Sequence, residues 1–264
     1  MSYALRIRNS YTVGLELLRS ATELAERHGD AQGAADSRRE MGVLEARLAR
    51  YSLAKLHAER ALETYVQLGD VPGQANAHRD LGLADGRSGR LTDARRNSSA
   101  ALVIYEDLGI TNGQCHAHFD LGLLELLDGR SEAALPHLDA ALGLALEHAD
   151  DYGQFRAHLA LSEARLHQQD TRLALSHAIE AGDIAARLKD QLAQASCHVR
   201  VGLAQAIHGN FTEADSAWTA ALGFYREIEH PAAVAVQRLV TRLSAEPRQP
   251  FTSESLYSVD GGAW

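Results

Sequence analysis

Four histidines recur at a fixed interval: His78, His118, His158 and His198 stand 40 residues apart. Repeated imidazoles invite a search for metal ligation or proton transfer, since the ring nitrogens bind metals and the charge changes near neutral pH. The spacing argues against a shared ion. Neighbouring units of a stacked helical array are separated by about one helix diameter, ~10 Å, whereas ligands lie about 2 Å from their metal. Each His is therefore expected to fill the gap between the two helices of its own repeat, hydrogen-bonded locally. The sequence contains no HExxH, no GxSxG and no glycine-rich phosphate loop. Its two cysteines, Cys115 and Cys197, fall outside any CxxC spacing and read as reduced helix thiols of a cytoplasmic protein. No catalytic residue, metal or cofactor is expected, and the function is expected to be non-enzymatic.

The elements that carry these histidines follow from the period. "LGDVPGQANAHRDLG" at 68–82 returns as "LGITNGQCHAHFDLG" at 108–122. Cut at residue 31 into blocks of 40, the chain aligns without a gap. One column reads Met41, Leu81, Leu121, Leu161, Val201, and the next Gly42, Gly82, Gly122, Ser162, Gly202. Further columns are alanine throughout: Ala54, Ala94, Ala134, Ala174, Ala214, then Ala61, Ala101, Ala141, Ala181, Ala221. Each block reads as two helices. In 71–110 the first opens after Asp70, a candidate N-cap, with Pro72 in its first turn. It closes near Gly89, and Gly129 and Gly209 hold the matching left-handed position. Thr92, Ser131 and Thr212 are the candidate caps of the second helices. Small residues at the Gly and Ala columns let paired helices approach closely.

These features predict an all-α solenoid of antiparallel helix pairs with about 12 helices. It comprises a partial first repeat (1–30), blocks 31–70, 71–110, 111–150, 151–190 and 191–230, and a closing helix at 231–246. A tail at 247–264, with Pro247, Pro250 and "DGG", is expected to be disordered. "MSYALRIRNS" at 1–10 aligns with "MGVLEARLAR" at 41–50, the second half of a first helix. The array is thus expected to begin mid-pair, leaving Tyr3, Leu5 and Ile7 as a candidate dimer contact. A fragment of a longer regulator is the competing expectation.

The pattern resembles the tetratricopeptide repeat (TPR) over about residues 1–245. Leu81, Gly82, Ala94 and Ala101 match that family's small and large positions, although the period is 40 rather than 34 and His replaces the frequent Trp. The longer period resembles the C-terminal arrays of bacterial transcriptional regulators, of the antibiotic-regulatory and nucleotide-switch types. The resemblance implies a right-handed superhelix whose first helices line a concave groove for a protein or peptide. Three groove columns follow by position. They are Arg39, Arg79, Phe119, Leu159 and Val199; Val43, Leu83, Leu123, Glu163 and Leu203; and Arg47, Arg87, Leu127, His167 and Ile207. The chaperone-binding members' carboxylate clamp uses Asn in the second column, which Val43, Leu83 and Leu123 do not match.

From these columns Arg39, Arg79, Arg47 and Arg87 are expected to form a basic section that receives acidic side chains. Phe119, Leu123, Leu126, Leu127 and Leu203 form the apolar section. Asn76 and Arg79 against His116 and Phe119 would distinguish one part of the groove from another. A closed small-ligand or signalling-peptide pocket around Phe119 and Leu123 is the alternative, and a self-assembling homodimeric scaffold is another. The formal charge of −9 argues against direct nucleic-acid binding. No apolar run reaches the roughly 18–20 residues of a membrane span. Of the 26 basic residues only Lys55 and Lys189 are lysine, a skew pointing to a GC-rich bacterial genome.

Overall fold

A computed structural model describes the backbone of residues 3–245 and the side chains of residues 10–243. Twelve helices and no strand occur among the described residues. They are α1 (Tyr3–Arg27), α2 (Ala31–Arg47), α3 (Tyr51–Leu68), α4 (Val71–Arg87), α5 (Leu91–Asp107), α6 (Thr111–Leu127), α7 (Ser131–Glu147), α8 (Asp151–His167), α9 (Thr171–Leu188), α10 (Gln191–His208), α11 (Phe211–Glu227) and α12 (Ala232–Ala245). The fold is all-α, and within each of two units successive helices pack against one another in chain order. Contacts group the helices into two compact units, residues 1–128 and 129–264.

The turns set the rhythm. Gly29, Gly69, Gly89, Gly109, Gly129 and Gly209 adopt positive φ, and Ala49, Ala149, Gln169, Lys189 and Glu229 do the same without glycine's freedom. These positions fall every 20 residues, so each turn after the one at Gly29 reverses the chain after one helix of 17 or 18 residues. Four first helices start on aspartate, whereas α6 starts on Ile110. Asp30, Asp70, Asp150 and Asp190 each accept a hydrogen bond from the backbone N–H three residues on. The second helices start earlier than the sequence predicts. Their N-caps are Arg90, Arg130 and Asn210, with no side-chain cap bond, so Thr92, Ser131 and Thr212 lie inside the helices. The left-handed residue already places the chain, and the cap side chain reaches back instead: Arg90 Nε donates to Asp85 Oδ1 at 2.7 Å. Asn210 Nδ2 donates likewise to Gln205 Oε1 at 2.9 Å.

Packing explains the small columns. A Cβ on Gly82 would lie 2.3 Å from Ser98 Oγ and 3.2 Å from the Ala94 carbonyl oxygen. On Gly202 it would lie 2.4 Å from Trp218 Nε1. The buried cores gather Ala35 and Ala61, Ala75 and Ala101, Phe155 and Ala181, and Ala195 and Ala221, so each core draws on both helices of one repeat.

One boundary differs from the sequence reading. Residues 3–27 form one unbroken helix through residues 8–10, where the 40-residue register places a turn. That segment, Arg8-Asn9-Ser10, carries no glycine to take the left-handed position. The side chains of Tyr3, Leu5 and Ile7, and the tail 247–264, lie outside the described residues.

Candidate functional site

In the unit spanning residues 1–128 the first helices α2, α4 and α6 carry the predicted groove columns. Their arginines are tied across repeats. Arg39 Nη1 donates to Asp80 Oδ2 at 3.0 Å, and Arg79 Nε donates to Asp120 Oδ2 at 2.8 Å. Arg39 also pairs with Glu40. Asp80 thus stands on the helix between the two guanidiniums. Its pKa is pushed up to about 6, because burial outweighs the opposing pull of Arg39 and Arg79. Burial works against the charge of Arg79, yet Asp120 and Asp80 overcome it and raise its pKa. Asp120 Oδ1 is buried and receives no hydrogen bond from the described residues.

Tyrosines fix the start of the same helices. Tyr65 Oη donates to Asp36 Oδ1, and Tyr105 Oη donates to Asn76 Oδ1, both at 2.7 Å. Next along the helices lie Val43, Leu83 and Leu123, all half-buried. This aliphatic column leads to Arg47 and Leu127, which are exposed, and to half-buried Arg87. The Arg47 guanidinium lies 5.8 Å from the Tyr11 ring centroid and donates to Tyr11 Oη at 3.4 Å.

Three predicted groove residues are buried. Phe119 and Leu126 are buried in α6, and Leu203 is buried in the core formed with Val199, Trp218 and Leu222. The sequence shows α6 and α10 apolar on several sides, and such a helix gives no phase by which to choose its open face.

In the unit spanning 129–264 the same columns turn inward. Leu159 and Val199 occupy the positions of Arg39 and Arg79, and both are buried. Arg200 occupies the position of Asp80 and pairs with Glu163 at 3.5 Å, both side chains buried. The order of charge along the chain is therefore reversed relative to the first unit.

The histidine column behaves as local packing. His78 Nδ1 lies 3.3 Å from Asn97 Oδ1, and Asn97 in turn donates to Asp85 Oδ2 at 3.2 Å. The His78 Nδ1–H is therefore the donor. His158 Nδ1 meets His177 Nδ1 at 3.0 Å, and His198 stacks on Phe224 with centroids 5.8 Å apart. Among the described residues no three His, Cys, Asp or Glu side chains converge in a metal-binding arrangement.

A second ladder was missed. Buried Glu45, Asp85 and Glu125 form an acidic column, again 40 residues apart. Lys55 Nζ donates to Asp85 at 2.8 Å and Arg95 Nε to Glu125 at 2.8 Å, each across one repeat. Arg50 pairs with Glu45 at 3.1 Å. The signal was available: acidic at 45, 85 and 125, basic at 50 and 90 and at 55 and 95.

Two shallow cavities of about 290 Å³ and 150 Å³ are lined by Arg50, Tyr51 and Arg90 and by Thr171, Leu175 and His208. Neither touches Phe119 or Leu123.

No family model and no curated protein matches the sequence. Solved structures do match the fold. BtubC (BKLC) from P. vanneervenii superposes with a TM-score of 0.70 at 16% identity, covering 88% of this chain and 95% of that one. A Rap protein complexed with competence and sporulation factor gives 0.71 at 16% identity, covering 94% and 74%. YrrB, a TPR protein with an unusual peptide-binding site, gives 0.50 at 17% identity, covering 83% of this chain and 98% of that one. At these identities the likeness is one of fold: a TPR-type helical repeat protein.

Proposed function

We propose that this chain is a non-enzymatic TPR module that binds a peptide or protein segment along α2, α4 and α6. The carrying observation is the half-buried column Val43, Leu83 and Leu123, which ends on Arg47, Arg87 and Leu127. The column offers apolar contact at the step of the repeat. The arginines at its end favour acidic groups on the ligand. The Arg39–Asp80 and Arg79–Asp120 bonds hold the three helices in fixed spacing before the ligand arrives, which lowers the ordering cost of binding. Peptide complexes among the fold neighbours, such as the Rap protein with competence and sporulation factor, support the assignment by analogy of fold.

The module fits the interaction or sensory part of a bacterial transcriptional regulator, the context its 40-residue period resembles. Cytoplasmic residence agrees with two buried thiols and no disulfide between them. No described helix is long and apolar enough to cross a membrane. The closed small-ligand pocket has less support, because Phe119 is buried and both cavities lie elsewhere.

The test is a peptide-array screen followed by fluorescence anisotropy on the best binders. Leu83→Asp and Leu123→Asp should each abolish binding of an acidic, aliphatic peptide while circular dichroism stays helical. Binding that survives both substitutions removes this column as the site.

A further inference from the structure

Helix α1 exposes an apolar stripe, Val13, Leu17, Ala21 and Leu24, whose last three positions are covered on the comparable helices α3, α5, α9 and α11. Val13, Leu17 and Leu24 are 55%, 68% and 56% exposed and recur at helical spacing. Ala21 lies on the same stripe and is also exposed. Its counterparts Ala61, Ala101, Ala181 and Ala221 are fully buried, each in a core that includes residues of its own repeat's first helix as well as the next one's. Leu17 likewise holds the position of Asn97 and His177, which face His78 and His158 on those first helices. The opposite side of α1 is already occupied by α2: Leu15 and Thr22 are buried, and Gly14 lies against Leu44. So α1 has the surface of a second helix with no first helix packed on it among the described residues. Because α1 runs straight through residues 8–10, residues 3–7 continue along its axis instead of folding back over the stripe.

We propose that this stripe is a dimer interface, covered by the same stripe of a second copy in antiparallel orientation. Two observations choose this occupant. First, the far helix α12 is already a polar cap. It buries Val236, Leu239 and Leu243 and presents Arg238 and Thr241 outward, with Val234 as its exposed apolar residue. A head-to-tail contact would lay the α1 stripe on that polar face, so only an isologous contact matches apolar with apolar. Second, the stripe is complementary to its own reverse. With the two-fold axis near Arg19, Val13 meets Leu24 of the second copy, and Leu17 meets the small Ala21. The sequence expectation of a dimer at Tyr3, Leu5 and Ile7 thus moves further along α1, to side chains the structure describes. One helix pair lies at the small end of stable interfaces, so the dimer should dissociate in the micromolar range. The inference is independent of the groove.

Light scattering on the full chain should show mass rising with concentration from 28.6 kDa to twice that value and no further. Leu17→Glu, which touches no core residue, should weaken the dimer on the order of tenfold or more. Cross-linking fixes the geometry without interference from Cys115 and Cys197, which are buried. Ser20→Cys should link to itself. Val13→Cys should link only when mixed with Leu24→Cys. A mass fixed at the monomer value, open-ended growth beyond the dimer, a dimer unaffected by Leu17→Glu, or self-linking of Val13→Cys would each overturn the proposal.

Discussion

Arg79 on α4 and Asp120 on α6 are 41 residues apart in sequence and joined by a 2.8 Å bond from Nε to Oδ2. Arg39 and Asp80 repeat the bond one step earlier, so a single rule in the sequence makes two rungs of one ladder.

Removing one side of a rung should cost more than removing both. Asp120 is buried and Arg79 mostly so, and Arg79→Leu strands a carboxylate, at about 3 kcal/mol or more. The double variant Arg79→Leu, Asp120→Leu should recover most of that loss. Urea unfolding of the two singles and the double gives the coupling, and additive losses would show that the rung contributes nothing.

Asp80 should impose a pH dependence of unusual sign. Its folded pKa of about 6 lies above the ordinary value of 3.8, so the folded chain holds this proton where the unfolded chain has released it. Stability from this group is present at low pH and is lost as pH rises between those values, by about 3 kcal/mol in all. Measured against Asp80→Asn, the wild-type protein should weaken over that interval. Parallel pH profiles would refute the assignment.

The His158–His177 contact predicts the reverse trend. Burial lowers the pKa of both rings. His158 and Arg165 add to the lowering at His177, while Asp139 and Glu180 oppose it; Glu180 also opposes it at His158. A ring kept neutral in the fold stabilises it above the unfolded pKa of about 6.5, and that stability is lost as pH falls through the folded pKa. His177→Asn reproduces the residue that His78 meets at Asn97 and should flatten the acid limb of the stability profile. An unchanged limb would mean the pair does not titrate with unfolding.

Two glycine substitutions should differ in sign. Gly202→Ala drives a Cβ into the buried indole of Trp218, whose Nε1 donates to the Val199 carbonyl oxygen at 3.1 Å. The expected loss is about 1–3 kcal/mol. Gly223→Ala, inside α11 with open space around the new Cβ, should gain about 0.5–1 kcal/mol. Thermal melts of both variants check the contrast.

Much of the architecture is written locally. Asp70 caps α4, and Gly89, Gly129 and Gly209 take the left-handed turns, because these need only a residue type at one place. The close approach at Gly82 was legible for the same reason. The starts of the second helices were not, since Arg90 and Arg130 cap by backbone geometry alone. The site was less legible still. Leu126 and Leu203 went to the core because helices apolar on several sides hide their phase. Asp80 reads as a surface neighbour of Arg79, whereas its partner in space is Arg39, just over a whole repeat away.

The left-handed residues at 20-residue intervals make repeats interchangeable parts. Excising residues 71–110 would join Asp70 to Thr111 with the cap position intact. It would also bring Asp120 to the distance along the chain that Asp80 now holds from Arg39, and Glu125 to that of Asp85 from Lys55. Both ladders would close over the gap. Such a chain should fold with one rung fewer, which makes the length of the ladder a quantity that duplication or loss of a single block can adjust without redesigning any contact.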